Sequence, residues 1–262
     1  MNSRLELTNK LAVVLHSSPY RNSSLIIHFF LKDYGKVSAI AKGVKAKKIK
    51  NNQSLLLQPF NVLSLSLIGR EQYELLILKN VERVDNEVAW NLSGKALYCA
   101  YYLNELLLRL LPSQVECADI FSLYNEALVM LSHSDQALSY IDDPITYEIP
   151  LRIFEYKLLE LLGYGLNVSH DIYSDKAINE MTSYYYQISS GPSEKAVIGE
   201  PYLLISGKTL IALSNLQFLE KKVLQEAKQL LKWAIAEHLG DKPLKSREIF
   251  KQLYQTSLSD IN

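Results

Sequence analysis

The chain has 262 residues, 48% of them apolar, and its 28 basic side chains are balanced by 28 acidic ones, so net charge points neither to nucleic acid nor to membrane. Two cysteines, Cys99 and Cys117, are too few for a disulfide framework or a four-cysteine zinc site. No stretch reaches the roughly eighteen uninterrupted apolar residues of a membrane span. The start of the chain lacks the pattern of a secretory signal, which predicts a cytoplasmic protein.

The charge is unevenly placed. Residues 1–70 carry eleven Lys/Arg against two acids, Glu6 and Asp33, a local net of +9. The remainder carries seventeen basic and twenty-six acidic residues, a net of −9. A basic head on an acidic body confines any attraction for polyanions to one end.

In chain order, short strands come first. Leu11–His16 is apolar and partly β-branched and stops at Ser17-Ser-Pro19. Ser24–Phe30 follows, then a turn at Asp33-Tyr-Gly35 and a third strand, Lys36–Ala41. Leucine and serine alternate from Leu63 to Leu67, the period of a half-buried strand, and Tyr73–Val84 supplies a fifth run. Five short strands with no long helical pattern between them predict a small barrel of the OB type.

Helical patterns take over beyond residue 88. Ser93 can cap a helix from Gly94 to Leu111, ended by Pro112. Further helices are predicted over Asp119–Leu131 and Leu151–Leu162, the latter stopped by Gly163 and Gly165. Ser169–Pro201 is irregular and tyrosine-rich, and Tyr184-Tyr-Tyr186 within it reads as a strand with one buried face. Ser214 or Asn215 opens the next helical stretch, whose main body is Lys221–Leu239, and a short helix closes the chain over Ser246–Tyr254. The predicted class is α+β: an OB-fold domain over 1–88, the candidate for DNA once the lysines below are weighed, and a mainly helical domain over 89–262.

The densest chemical signal is Lys42-Gly-Val-Lys-Ala-Lys-Lys-Ile-Lys50. A lysine run neutralises phosphates without reading bases, and counterion release makes such binding salt-sensitive. A bare run is more often a solvated loop. Its place after a strand of an OB barrel, with Arg21, Lys32 and Lys36 nearby, favours nucleic acid, so Arg21, Lys36, Lys42, Lys45, Lys47, Lys48 and Lys50 are the predicted DNA contacts. Glu105 and Glu155 lie on apolar helices and are expected to pair with arginines such as Arg109 or Arg152. The histidines show no metal spacing. With no phosphate-cradling glycine loop, nucleophile elbow or paired carboxylates, the sequence predicts neither an enzyme nor a cofactor.

Nine segments occur in an order that resembles the RecO family of bacterial DNA repair proteins. They are Ala12-Val-Val-Leu-His-Ser17, Tyr20-Arg21, Gly35-Lys-Val, Ala41-Lys-Gly43, Leu57-Gln-Pro-Phe60, Tyr102-Leu-Asn-Glu-Leu106, Arg152-Ile-Phe-Glu155, Leu162-Gly-Tyr-Gly165 and Lys242-Pro-Leu-Lys-Ser-Arg-Glu248. The resemblance implies a non-catalytic, nucleoid-associated mediator that binds single- and double-stranded DNA and anneals complementary strands. It also implies partnership with RecR, sometimes RecF, and with the single-stranded DNA-binding protein SSB, on whose coated DNA it helps load RecA. Many members carry a four-cysteine zinc motif after the segment matching Gly163-Tyr-Gly165; Asn167–Ser174 here has no cysteine, so the chain resembles the zinc-free branch. The SSB tail is acidic with an apolar end and needs an apolar groove with a cationic rim, for which Arg152, Lys176, Lys245 and Arg247 are candidates. For Arg152 the competing reading is a structural pair with Glu155 or Glu105. A protein-interaction adaptor with a structural barrel is the alternative function.

Overall fold

The computed structural model describes residues 4–44, 53–70, 73–84, 90, 92–137, 145–196, 199–240, 242–250 and 252. The chain forms two compact units, one of Met1–Asn91, Ala100–Asn125 and Leu244–Asn262, the other of Leu92–Cys99 and Glu126–Pro243. Strands give way to helices where the sequence places the change, but the first unit also recruits two later segments of chain.

In the first unit, β1 (Arg4–Tyr20), β2 (Ser24–Leu31), β3 (Gly35–Ala41), β4 (Val62–Arg70) and β5 (Leu75–Arg83) close a barrel in the order β1-β2-β3-β5-β4. All ladders are antiparallel except β3 with β5. A five-stranded Greek-key barrel of this kind is the OB architecture. Alternation sends Val14, Ile27, Phe29, Val37, Ala39 and Leu65 into a core where each is at most 2% exposed. A short helix, α1 (Gln53–Leu56), leads into β4.

β1 is longer than the sequence predicts and runs through Ser17-Ser-Pro19. Its first half pairs with β4 and its second with β2, and register shifts after Leu7 and Val14 let one strand serve both neighbours. The second shift leaves Leu15 out of register, and the Asn104 amide, from α2 (Gly94–Leu110), donates to its carbonyl at 2.8 Å. Phe30 points outward yet is fully buried, because Phe121 of α3 (Ala118–Ala137) covers it at a ring-centroid distance of 5.3 Å. Gly35 has φ +77°, and an added Cβ would lie 1.9 Å from the Val115 carbonyl oxygen. Only glycine permits both that turn and the close approach.

In the second unit, α4 (Ile145–Leu161) starts earlier than the expected Leu151 and contains Pro150. Proline there has no N–H to donate to the Thr146 carbonyl. The Ser134 hydroxyl supplies that bond at 3.0 Å, so the helix continues through it. The region left irregular by the sequence holds β6 (Ser183–Gln187), β7 (Gly191–Ser193) and β8 (Leu203–Ser206) in the order β7-β6-β8. Tyr184 and Tyr186 are buried and Tyr185 is not, the alternation expected of that triplet.

The expected helix start at Ser214 or Asn215 is a helix end. α5 (Gly207–Asn215) stops there on a left-handed Leu216, and its start is capped by the Ser206 hydroxyl. Gly207, the first residue of α5, lies against the Asn179 carbonyl, where a Cβ would approach to 1.9 Å. The last helix, α6 (Lys221–Leu239), ends at Gly240 as predicted and packs on α4, α5 and β8. Before β6, Asp171 accepts four hydrogen bonds, from the Tyr173 and Ser174 amides, the Ser174 hydroxyl and the Glu194 amide. Desolvation pushes its carboxyl up, but these bonds outweigh it and hold the group below the ordinary carboxylate value.

Candidate nucleic-acid interface

The outer face of β1, β2 and β3 is partly covered. At one end the loop before α3 seals it: the Gln114 amide donates to the Lys36 carbonyl at 3.0 Å, and the Lys36 ammonium donates to the Leu108 carbonyl at 2.6 Å. Burial lowers the Lys36 pKa below the usual lysine value. Lys36, a predicted DNA contact, thus has its charge engaged inside the first unit.

The rest of the face is half-buried, with His16 exposed on it. Register sets His16 opposite His28 and His28 opposite Ser38, with Ser18, Ile26 and Ile40 in the next row. The two imidazoles stack at 6.0 Å, and His28 Nδ1 lies 2.9 Å from the Ser38 hydroxyl. His28 is held below the usual imidazole pKa, first by burial and then by repulsion from His16 and Lys36.

Each end of this face carries an aromatic ring with an arginine over it. In the β1–β2 turn, Arg21 lies 5.2 Å from the centroid of Tyr20. Leu25 pairs with Ala41, so that turn stands beside the exposed Lys42. In the β4–β5 turn, Arg70 lies 5.9 Å from the centroid of Tyr73, a ring 50% exposed. Ser38 pairs with Leu75 in parallel, which sets Tyr73 level with Lys36. At ~3.3 Å per residue the two ends of β3 are about 20 Å apart. The β1–β2 and β4–β5 loops are the ones with which OB barrels grip oligonucleotides, and base stacking on their aromatics is tolerant of sequence.

Of the predicted contacts, Arg21 and Lys42 lie on this rim, whereas Lys45, Lys47, Lys48 and Lys50 lie outside the described residues. Tyr20, Arg70, Tyr73 and the histidine pair were not among the sequence candidates. The available signal was a tyrosine and an arginine beside the turn markers Pro19 and Gly69.

Of the four cations proposed for an acidic tail, Arg152 and Lys176 belong to the second unit and Lys245 and Arg247 to the first. Arg152 is 4% exposed and pairs with Glu155, Nε to Oε2 at 2.7 Å and Nη2 to Oε1 at 2.8 Å, the structural pair foreseen as its alternative. Arg247 donates to the Tyr102 hydroxyl at 2.8 Å and lies over the same ring. Lys176 and Lys245 are exposed. Glu105, expected to pair with an arginine, accepts from the Lys245 and Ser246 amides and the Ser246 hydroxyl, capping the helical turn at 245–250.

The barrel and its rim define an OB-fold protein with a cation-edged sheet face. The family pattern "Recombination protein O N terminal" matches residues 5–86, and "Recombination protein O C terminal" matches residues 92–248. The chain is 39% identical over 242 residues to the DNA repair protein RecO of Nitrosococcus oceani, covering 92% of each chain. It is 37% identical to that of Psychromonas ingrahamii, covering 91% of this chain and 96% of the relative. With that of Dechloromonas aromatica it shares 34% over 97% of this chain and all of the relative. The chain belongs to the RecO family. Among its described residues no helix is long and apolar enough to cross a membrane.

Proposed function

We propose that this protein is a non-catalytic recombination mediator in DNA repair. It binds single- and double-stranded DNA, anneals complementary strands and helps RecA load onto SSB-coated DNA, with RecR, and in some settings RecF, as partners. The observation that carries this reading is the face of β1–β3, edged by Arg21 and Lys42 at one end and Arg70 at the other, with Tyr20 and Tyr73 available for stacking. A backbone held there by cations leaves base edges free to pair with a second strand.

A salt titration of oligonucleotide binding tests it. Binding should be strong at low salt, with a steep negative log–log slope, and Lys45→Ala, Lys47→Ala and Lys48→Ala together should reduce that slope by about two to three units. An oligonucleotide that does not bind at low salt supports the adaptor reading instead, in which the barrel is structural.

For the SSB tail, burial of Arg152 moves the proposed cation to Lys245. It lies one helical turn before Ile249, whose side chain is 48% exposed, so that a charge and an apolar surface share one face.

A further inference from the structure

The second unit carries a cleft that DNA binding leaves unused. The segment after α4, the turn after β6, the approach to β8 and the end of α6 enclose a cavity of about 520 Å³, a size typical of small-ligand clefts. Three rings line it. Tyr164 stacks on His238 with centroids 3.7 Å apart and planes at 14°, and Trp233 stands a turn before Glu237 on α6. The Trp233 indole donates to Glu237 Oε1 at 3.1 Å and fixes that carboxylate at the edge of the ring. Glu200 is the second acid, and among the described residues of the lining there is neither lysine nor arginine. Gln187 contributes to the wall at 7% exposure. Its Oε1 accepts from the Ser190 hydroxyl, and its Nε2 finds no acceptor among the described residues.

We propose that this cleft receives an arginine side chain from a basic segment of a partner protein. Guanidinium is planar, stacks on aromatic rings and pairs with carboxylates through two parallel bonds, which is the complement of these walls. A lysine ammonium has the charge but no plane to stack. The two carboxylates repel both an acidic peptide and the phosphates of a nucleotide. A backbone carbonyl of the incoming segment is the kind of acceptor that the Gln187 amide lacks. The cleft is thus opposite in sign to the barrel rim.

The test uses the full-length protein and a short Gly/Ser peptide with one central arginine. The same peptide with citrulline, which keeps the shape and loses the charge, is the control. Binding is followed at the Trp233 indole N–H by NMR, assigned with Trp233→Phe. The arginine peptide should shift that signal and bind about ten-fold or more tightly than the citrulline peptide. Glu200→Gln with Glu237→Gln, both at exposed positions, should abolish the difference. Equal binding of the two peptides, an unmoved Trp233 signal, or a double variant that binds as well as the parent overturns the proposal. So does a single-stranded oligonucleotide that moves the Trp233 signal in place of the peptide.

Discussion

The Asn104 side chain donates to the backbone carbonyl of Leu15, 89 residues earlier, while its own carbonyl accepts from the Tyr124 hydroxyl at 2.6 Å. All three residues are at most 2% exposed. A bulged strand, α2 and α3 therefore meet in one buried polar chain, with every bond completed inside the first unit.

Asn104→Ala leaves a buried carbonyl and a buried hydroxyl without partners and should cost about 2–3 kcal/mol. Urea denaturation measures it, and Tyr124→Phe should cost about 1 kcal/mol by the same assay. A fragment ending at residue 88 lacks both Asn104 and the Phe121 cover over Phe30, so it should be far less stable than the whole chain and expose apolar surface to a hydrophobic dye.

Lys36 and Lys42 should separate cleanly. Lys36→Ala removes a half-buried donor from the Leu108 carbonyl and should lower stability by about 1 kcal/mol with little change in DNA affinity. Lys42→Ala, at an exposed rim position, should leave the melting curve unchanged and weaken oligonucleotide binding in a salt-dependent way. Equal DNA losses in the two variants would place Lys36 on the interface after all.

Tyr20→Ala and Tyr73→Ala should each weaken single-stranded DNA binding by about 1 kcal/mol, roughly five-fold, through lost stacking. Duplex binding, in which bases stack on one another, should change little. Anisotropy titrations with single- and double-stranded oligonucleotides at one salt concentration give the comparison.

Arg152→Ala strands the Glu155 carboxylate in the interior and should destabilise the second unit by about 3–5 kcal/mol. Replacing both partners, Arg152→Met with Glu155→Leu, should recover most of that loss, because the pair's desolvation is removed along with its attraction. Thermal unfolding of the three variants tests both statements.

The His28 imidazole should titrate below the ordinary histidine value by NMR. Burial is the first cause, so Lys36→Met should raise its pKa only modestly. A base with a depressed folded pKa binds its proton more readily in the unfolded chain. Its contribution to stability is therefore present above ~6.5 and lost as pH falls from there toward the folded pKa. His28→Gln should flatten that part of the stability–pH curve.

Much of the fold was legible because it is periodic. The leucine–serine alternation of Leu63–Leu67 and the tyrosine triplet each announce one buried face, and the structure buries those faces. Pro150 misleads because the bond that rescues it comes from Ser134, on a different helix. Arg152 and Glu155 are three residues apart, a spacing shared by exposed and buried pairs, so burial alone decides between a ligand contact and a structural one. On the barrel, counting cations found Arg21 and Lys42 but also Lys36, whose engagement depends on a carbonyl 72 residues away. Tyr73 escaped notice because its place on the rim follows from the parallel pairing of β3 with β5, and no local pattern encodes that register.

The Asp171 knot lies in the stretch Asn167–Ser174, which contains no cysteine. A loop gathered by one carboxylate on amide and hydroxyl donors keeps its shape in the presence of chelators and oxidants, which undo thiolate–zinc ties. Its vulnerability is to acid. The stabilisation is present above the unfolded carboxylate value near ~4 and disappears as pH falls through the lower folded value. The shape of this segment is therefore tied to pH through a single carboxylate.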